Sequence, residues 1–141
     1  SAAFVPTTTE SAERSQTRTY SQRLLKRAGL AEVQMLQLAL ADRGVGVVLR
    51  RYDGGHDLTD DARGELKKQG LEAADSIVVN IAEGAGRRKG TTDAGKNHHE
   101  IAMGSAAECC AVLDLVRWLE GAEEQQHKLR RIGAMLAKLS R

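Results

Sequence analysis

The stretch from Gly90 to Lys96 has the residue types and spacing of a phosphate-binding loop. It reads Gly90-Thr-Thr-Asp-Ala-Gly95-Lys96 and so fits the pattern G-x-x-x-x-G-K. A phosphate-binding loop of this kind follows a β-strand and carries Ser or Thr after the lysine to hold Mg²⁺. Here Asn97 takes that position, and the preceding segment has helical periodicity. We therefore expect a connection between two helices that only resembles a nucleotide site.

Metal-binding residue types are present, but their spacing does not match a known metal site. Glu124 and His127 form a single Glu-x-x-His, whereas a di-iron bundle uses two such pairs with two further glutamates. His98 and His99 are adjacent and therefore point to different faces of a helix. We expect no metal and no cofactor.

The two cysteines, Cys109 and Cys110, are adjacent and cannot join distant segments. Such use of cysteine fits a reducing compartment. One of the two falls on an apolar helical stripe, where buried cysteine is common, and no oxyanion or nucleophile-elbow pattern accompanies them. The chain has no apolar run near 18 residues and no signal-peptide apolar core. These features predict a cytoplasmic protein without enzymatic activity and without a membrane span.

Clustered bases are the remaining candidates for ligand contact. The net charge is only +2, with 21 basic against 19 acidic residues, so nucleic-acid binding would depend on local patches. The segment Arg87-Arg88-Lys89 is the leading candidate, because it follows a predicted helix end in a Gly-rich connection. The scarcity of aromatic residues disfavours a base-stacking platform, so salt-sensitive phosphate contacts are expected. Further candidates are Arg50, Arg51, Lys67 and Lys68.

The spacing of apolar residues predicts four helices that position these side chains. The first runs from Leu30 to Arg51, and the second begins at the N-cap Thr59. The second continues through Ile77-Val78-Val79, because a sustained helical repeat outweighs a short β-branched run. The third carries a heptad stripe, and Gly121 is predicted to end it. The predicted core positions are Val33, Leu36, Leu40, Val47 and Val48; Ala62, Leu66, Ala73, Ile77, Ile81 and Ala85; His98, Ile101, Ser105, Cys109, Val112, Val116 and Leu119; and Leu129, Ile132, Leu136 and Leu139.

Four helices with short turns predict an all-α, antiparallel up-down four-helix bundle. The bundle is expected to occupy residues 20–141. Residues 1–19 are polar, rich in Ser and Thr and aperiodic. They are predicted to form an N-terminal arm that is flexible or becomes ordered on a partner.

Polar residues recur at helical spacing on the second and third helices. Asn80 and Glu83 are three residues apart and share one helical face, as do Ser105 and Glu108. Polar groups at a helix seam bond across it and fix the register of the two helices. We interpret these four residues as a structural polar clamp, and the alternative is a ligand site.

Two motifs in this region resemble a known family. The stretch Ser76-Ile-Val-Val-Asn-Ile-Ala-Glu-Gly-Ala-Gly-Arg-Arg88 resembles the signature Ser-Ile-x-x-Asn-Ile-Ala-Glu-Gly-x-x-Arg. This is the signature of the S23-like, or 23S rRNA intervening-sequence, family of small bacterial four-helix bundles. The second family motif, Ile/Leu-Ala-x-Gly-Ser-x-x-Glu, is similar to residues 101–108. The resemblance covers roughly residues 30–140.

The resemblance implies a four-helix bundle that assembles as a ring, typically a homopentamer, without established enzymatic activity. Distant relatives are the accessory proteins of diversity-generating retroelements, which bind nucleic acid and a reverse transcriptase. We therefore expect a non-enzymatic oligomeric scaffold that binds RNA or DNA, a protein partner such as a reverse transcriptase, or both, through basic loops. The alternative is a purely structural or adaptor protein whose N-terminal arm contacts a partner without nucleic-acid binding.

Overall fold

The computed structural model describes residues 29–52, 59–86 and 93–140. These ranges contain no strand and form an all-α bundle, which confirms the predicted fold class. The helices are α1 Leu30–Ala41, α2 Arg43–Arg50, α3 Asp60–Gly86, α4 Asp93–Leu115 and α5 Ala122–Leu139. The first bundle helix consists of α1 and α2, which pack against α3 and α5, while α3 packs against α4 and α4 against α5. The predicted arm, residues 1–19, lies outside the described ranges.

The first predicted helix is divided at Asp42. The Asp42 N–H donates to the carbonyls of both Leu38 and Ala39, and the Val45 N–H donates to the Asp42 carbonyl at 2.8 Å. Such shared and i, i+3 bonds are typical of helix ends. The division changes which side chains face inward. Val47, predicted to be in the core, is 43% exposed, whereas Val45 and Leu49 are fully buried.

Helix α3 forms as predicted. The Ala62 N–H donates to Thr59 Oγ1 at 3.2 Å, which is the expected N-cap bond. The segment Ile77-Val78-Val79 lies inside the helix, so the apparent strand before the G-x-x-x-x-G-K stretch is absent. Ile77 and Ile81 of the predicted stripe are fully buried, whereas Ala62 is exposed.

Helix α4 begins and ends earlier than predicted. Its first residue is Asp93, so Gly95 and Lys96 lie in a helix rather than in a connecting loop. It ends at Leu115, and turns lead to Gly121, whose φ of +88° is a left-handed conformation that glycine adopts readily. Within the described ranges, the helices are all too short or too polar to cross a membrane.

Helix α5 closes the bundle with the predicted stripe. Leu129, Ile132 and Leu136 are almost completely buried, and Leu139 packs against the core from a half-buried position. Burying a leucine or isoleucine side chain contributes about 1.5–3 kcal/mol. Helix α5 is therefore held mainly by this apolar face.

Gly70 allows α3 to lie close to both α2 and α4. A Cβ atom at this position would lie 2.5 Å from Leu49 Cδ1 and 3.0 Å from Val112 Cγ1. Leu49 is fully buried, and the β-branched Val112 has few rotamers in a helix, so neither side chain has room to move. The Gly70 carbonyl also accepts a bond from Cys109 Sγ at 3.6 Å. Gly70, which lies in the gap between Leu66 and Ala73 of the predicted stripe, is thus a point of close helix packing.

We predict opposite stability changes for two glycine-to-alanine substitutions in α3. Gly70→Ala should destabilise the protein by about 1–2 kcal/mol, because the added methyl overpacks the core. Gly64→Ala is the matched control, since nothing lies within 4 Å of its Cβ position. It should stabilise the helix by about 0.5–1 kcal/mol through backbone entropy. Urea unfolding followed by circular dichroism measures both, and stabilisation by both substitutions would contradict the packing role.

Candidate functional site

A chain of hydrogen bonds crosses the seam between α3 and α4. Ser105 Oγ donates to Ser76 Oγ at 2.8 Å. Asn80 Nδ2 donates to the Ser76 carbonyl at 2.9 Å and to Ser76 Oγ at 3.1 Å. At the other end, His98 Nδ1 lies 3.0 Å from Asn80 Oδ1. Because an amide oxygen can only accept, this contact requires the proton on Nδ1. These four side chains are called the seam cluster below.

The four residues predicted to form the polar clamp do not all lie at the seam between α3 and α4. Asn80 and Ser105 belong to the seam cluster, Glu83 is half-buried on α3, and Glu108 is exposed on α4. Gly104, the glycine of the second family motif, is exposed and has nothing within 4 Å of its Cβ position.

Sequence reasoning missed Ser76 and His98 as members of the seam cluster. Ser76 lies four residues before Asn80, which places it on the same helical face. His98 was expected on the apolar stripe of its helix but not as a partner of Asn80. The missing information was the alignment of α3 with α4, which periodicity alone does not give.

The signature glycine Gly84 makes room for a buried histidine. A Cβ atom there would lie 2.6 Å from His99 Nε2 and 3.2 Å from the Gly95 carbonyl oxygen. His99 is only 1% exposed. The adjacent histidines therefore have separate surroundings: His98 joins the seam cluster, and His99 lies in the core against Gly84.

The predicted basic residues fall into two groups. Leu49 of α2 contacts the Gly70 position of α3, so Arg50 and Arg51 lie at the same level of the bundle as Lys67 and Lys68. Arg50, Arg51 and Lys68 are exposed, and Lys67 is half-buried.

The other predicted group, Arg87-Arg88-Lys89, lies outside the described residues. It directly follows Gly86, the last residue of α3. From Lys68 to Gly86 the helix spans roughly 27 Å at 1.5 Å per residue.

The cysteine thiols are poorly suited to nucleophilic chemistry. Burial raises the pKa of the Cys109 thiol to about 12, with smaller contributions from Cys110 and nearby carboxylates. Burial also raises the pKa of Cys110, and Arg130 offsets part of this increase. Because the thiolate is the reactive form, both thiols are mainly protonated and unreactive near neutral pH.

The candidate metal ligands are dispersed. His127 and Glu124 are exposed on α5, and Glu124 pairs instead with Lys128 at 3.9 Å. Across residues 29–52, 59–86 and 93–140, no three His, Cys, Asp or Glu side chains gather into a potential metal site.

Asp42 is a buried carboxylate that sequence reasoning missed. It is 3% exposed, and within the described ranges neither of its oxygens has a hydrogen-bond partner. Burial raises the pKa of this carboxyl to about 7, and the positive charge of Lys128 offsets part of the increase. Helical spacing could have indicated its burial, because Asp42 lies seven residues after Met35 and three after Ala39, on the buried face of the first helix.

A cavity of about 440 Å³ lies between α2 and α3 beside Asp42. Apolar side chains of Leu71 and Val78 line it together with charged Arg50 and Asp75. The cavity is therefore lined by both positively and negatively charged side chains, and its lining residues do not form a recognisable catalytic site.

We predict that Asp42 makes stability fall as pH rises toward neutrality. Its folded-state pKa, about 7, lies above the ordinary value of 3.8, so the folded protein binds this proton more tightly. The stabilisation is complete below about pH 4 and is lost as pH rises through 7, at up to about 1.4 kcal/mol per pH unit. Unfolding measured from pH 5 to pH 8 should show this slope, and Asp42→Asn should remove it. Identical pH profiles for the two proteins would contradict the assignment.

Comparison with known proteins identifies one family. The family model described as 23S rRNA-intervening sequence protein matches residues 36–139. Searches of curated proteins and of solved structures gave no match. The matched range covers the second half of α1 and the whole of the other four helices, including both signature motifs and the seam cluster. The chain therefore belongs to the 23S rRNA-intervening sequence protein family.

Proposed function

We propose that this protein is a non-enzymatic oligomeric scaffold that binds nucleic acid through its basic segments. The observation that carries the proposal is the grouping of Arg50, Arg51, Lys67 and Lys68 at one level of the bundle, in a family whose description refers to ribosomal RNA. A protein partner such as a reverse transcriptase is a further part of the proposal and rests on the family resemblance.

Phosphate contact is the interaction that these side chains support best. Arginine and lysine neutralise backbone phosphates and release condensed counterions, which gives affinity with little sequence preference. Within the described ranges, the Arg51 side chain makes no hydrogen bond or ion pair, so its guanidinium can contact a phosphate. Arg87, Arg88 and Lys89 add three charges after the end of α3.

The protein should bind RNA with a strong dependence on salt. Replacing Arg87, Arg88 and Lys89 together by alanine should weaken binding and reduce the slope of log K against log salt by about 2, at roughly 0.7 per single-strand phosphate contact. A fluorescence anisotropy titration with labelled RNA at several salt concentrations measures both quantities. Replacing Arg130, Arg131 and Lys138 of α5 by alanine removes the same charge from exposed positions and should leave the slope nearly unchanged. Absence of binding at low salt would refute the nucleic-acid function.

The ring assembly is the second part of the proposal, and exposed apolar side chains support it. Val79 of α3 is 54% exposed and Ile101 of α4 is 44% exposed. The open space at Gly104, one turn from Ile101, would allow another chain to approach closely. Burial of such side chains between subunits would favour association. The expectation of five subunits rests on the family resemblance.

We predict that Ile101→Lys will dissociate the oligomer, because the lysine would place a charge in an apolar interface. Ala134→Lys introduces the same charge at an exposed position of α5 and serves as the control. Light scattering coupled to size-exclusion chromatography gives the mass of each protein. A monomeric wild-type protein would refute ring assembly, and an Ile101→Lys protein of unchanged mass would place the interface elsewhere.

A further inference from the structure

The chain's single tryptophan, Trp118, is exposed at the end of the bundle where α2 and α4 end. It lies in the turn between α4 and α5 and is 65% exposed, while Leu115 at the end of α4 is 60% exposed. Large aromatic side chains usually bury most of their surface. An indole left in solvent is therefore available for contact with a ligand.

Trp118 is held in place from one side by Tyr52. The two rings meet edge to face, with centroids 6.1 Å apart and an angle of 61° between their planes. Tyr52 is only 2% exposed, so the tryptophan rests against the core. The turn that carries it also packs against α2, because a Cβ at Gly121 would contact Val48 Cγ2 at 3.3 Å. The indole is thus both exposed and restricted in position, which reduces the entropy lost on binding.

Two exposed arginines are next to these rings in the chain, because Arg117 precedes Trp118 and Arg51 precedes Tyr52. Within the described ranges, neither arginine side chain makes a hydrogen bond or ion pair. We call Arg51, Tyr52, Arg117 and Trp118 the tryptophan corner.

We propose that the tryptophan corner binds single-stranded nucleic acid, with an unpaired base stacked on Trp118 and adjacent phosphates on Arg51 and Arg117. This inference rests on the proposed nucleic-acid function and adds the form of nucleic acid that is recognised. Stacking on aromatic rings beside positive charge is the general way in which proteins hold single strands. The scarcity of aromatic residues disfavours an extended stacking platform, but one exposed ring is enough to stack one base. Bases inside a duplex are stacked on each other and do not offer a free face to the indole. The flanking charges favour a polyanion over an uncharged apolar partner.

Fluorescence provides a direct test, because all tryptophan emission of this chain comes from Trp118. The full-length protein is titrated at low salt with a single-stranded oligoribonucleotide of about ten nucleotides and, separately, with the matching duplex. Stacking should quench the emission with the single strand and much less with the duplex. Trp118→Leu should lower single-strand affinity roughly 5- to 100-fold, whereas Trp118→Phe should retain much of it.

Charge and folding controls complete the experiment. Arg51→Gln and Arg117→Gln should each lower the salt slope of single-strand binding by about 0.7. Arg130→Gln removes the same charge from an exposed position on α5 and should leave binding nearly unchanged. Circular dichroism checks that each variant is folded. If Trp118→Leu is not folded, Trp118→Phe and the arginine variants still decide the question.

Three results would overturn the proposal. If RNA binds but leaves the emission unchanged, and Trp118→Leu binds as tightly as wild type, the contact lies elsewhere and only the tryptophan corner fails. If neither RNA nor DNA binds at low salt, the proposed nucleic-acid function fails with it. If the emission changes with protein concentration alone and RNA has no effect on it, a second copy of the chain covers Trp118.

Discussion

The close approach of α3 and α4 is the constraint on which the rest of the bundle depends. The approach depends on glycine at positions 70 and 84 of α3, where an added Cβ atom would lie 3.0 Å from Val112 Cγ1 and 2.6 Å from His99 Nε2 of α4. Two helices this close bring short side chains into direct contact, so a serine on α4 can donate to a serine on α3 at 2.8 Å. Each such bond contributes about 1 kcal/mol, but leaving a buried partner unsatisfied costs more. The seam cluster therefore selects one alignment of the two helices.

The first helix adapts to this packed pair by breaking at Asp42. The break turns α2 so that Val45 and Leu49 enter the core, and it leaves a carboxylate without hydrogen-bond partners among the described residues. Protonation lowers the free-energy cost of burying such a carboxyl group in an apolar interior, because the neutral form loses less hydration than the charged form. The bundle thus combines hydrogen-bonded polar groups at the seam with a buried acid, Asp42, whose charge opposes folding at neutral pH.

The same arrangement places the candidate contacts with nucleic acid at opposite ends of α3. The tryptophan corner and the bases of α2 lie where α3 begins, and Arg87 to Lys89 follow its last residue. Helix α3 extends over roughly 27 Å from Lys68 to its last residue, Gly86. Repetition of both groups around a ring, as proposed, would give several equivalent sites, and linked sites bind a long polyanion more tightly than one site does.

The sequence by itself determined the helical fold, the extent of α3, the buried stripe of α5 and the family, because these depend on periodicity, capping and local motifs. It identified Asn80 and Ser105 as polar positions at a seam, but not Ser76 and His98 as their partners. Tertiary structure decided those pairings, the break at Asp42 and the exposure of Trp118 beside Arg51 and Arg117. The physical reason is that spacing along one helix defines a face, whereas the neighbour of that face depends on how helices distant in sequence are aligned and how closely they pack.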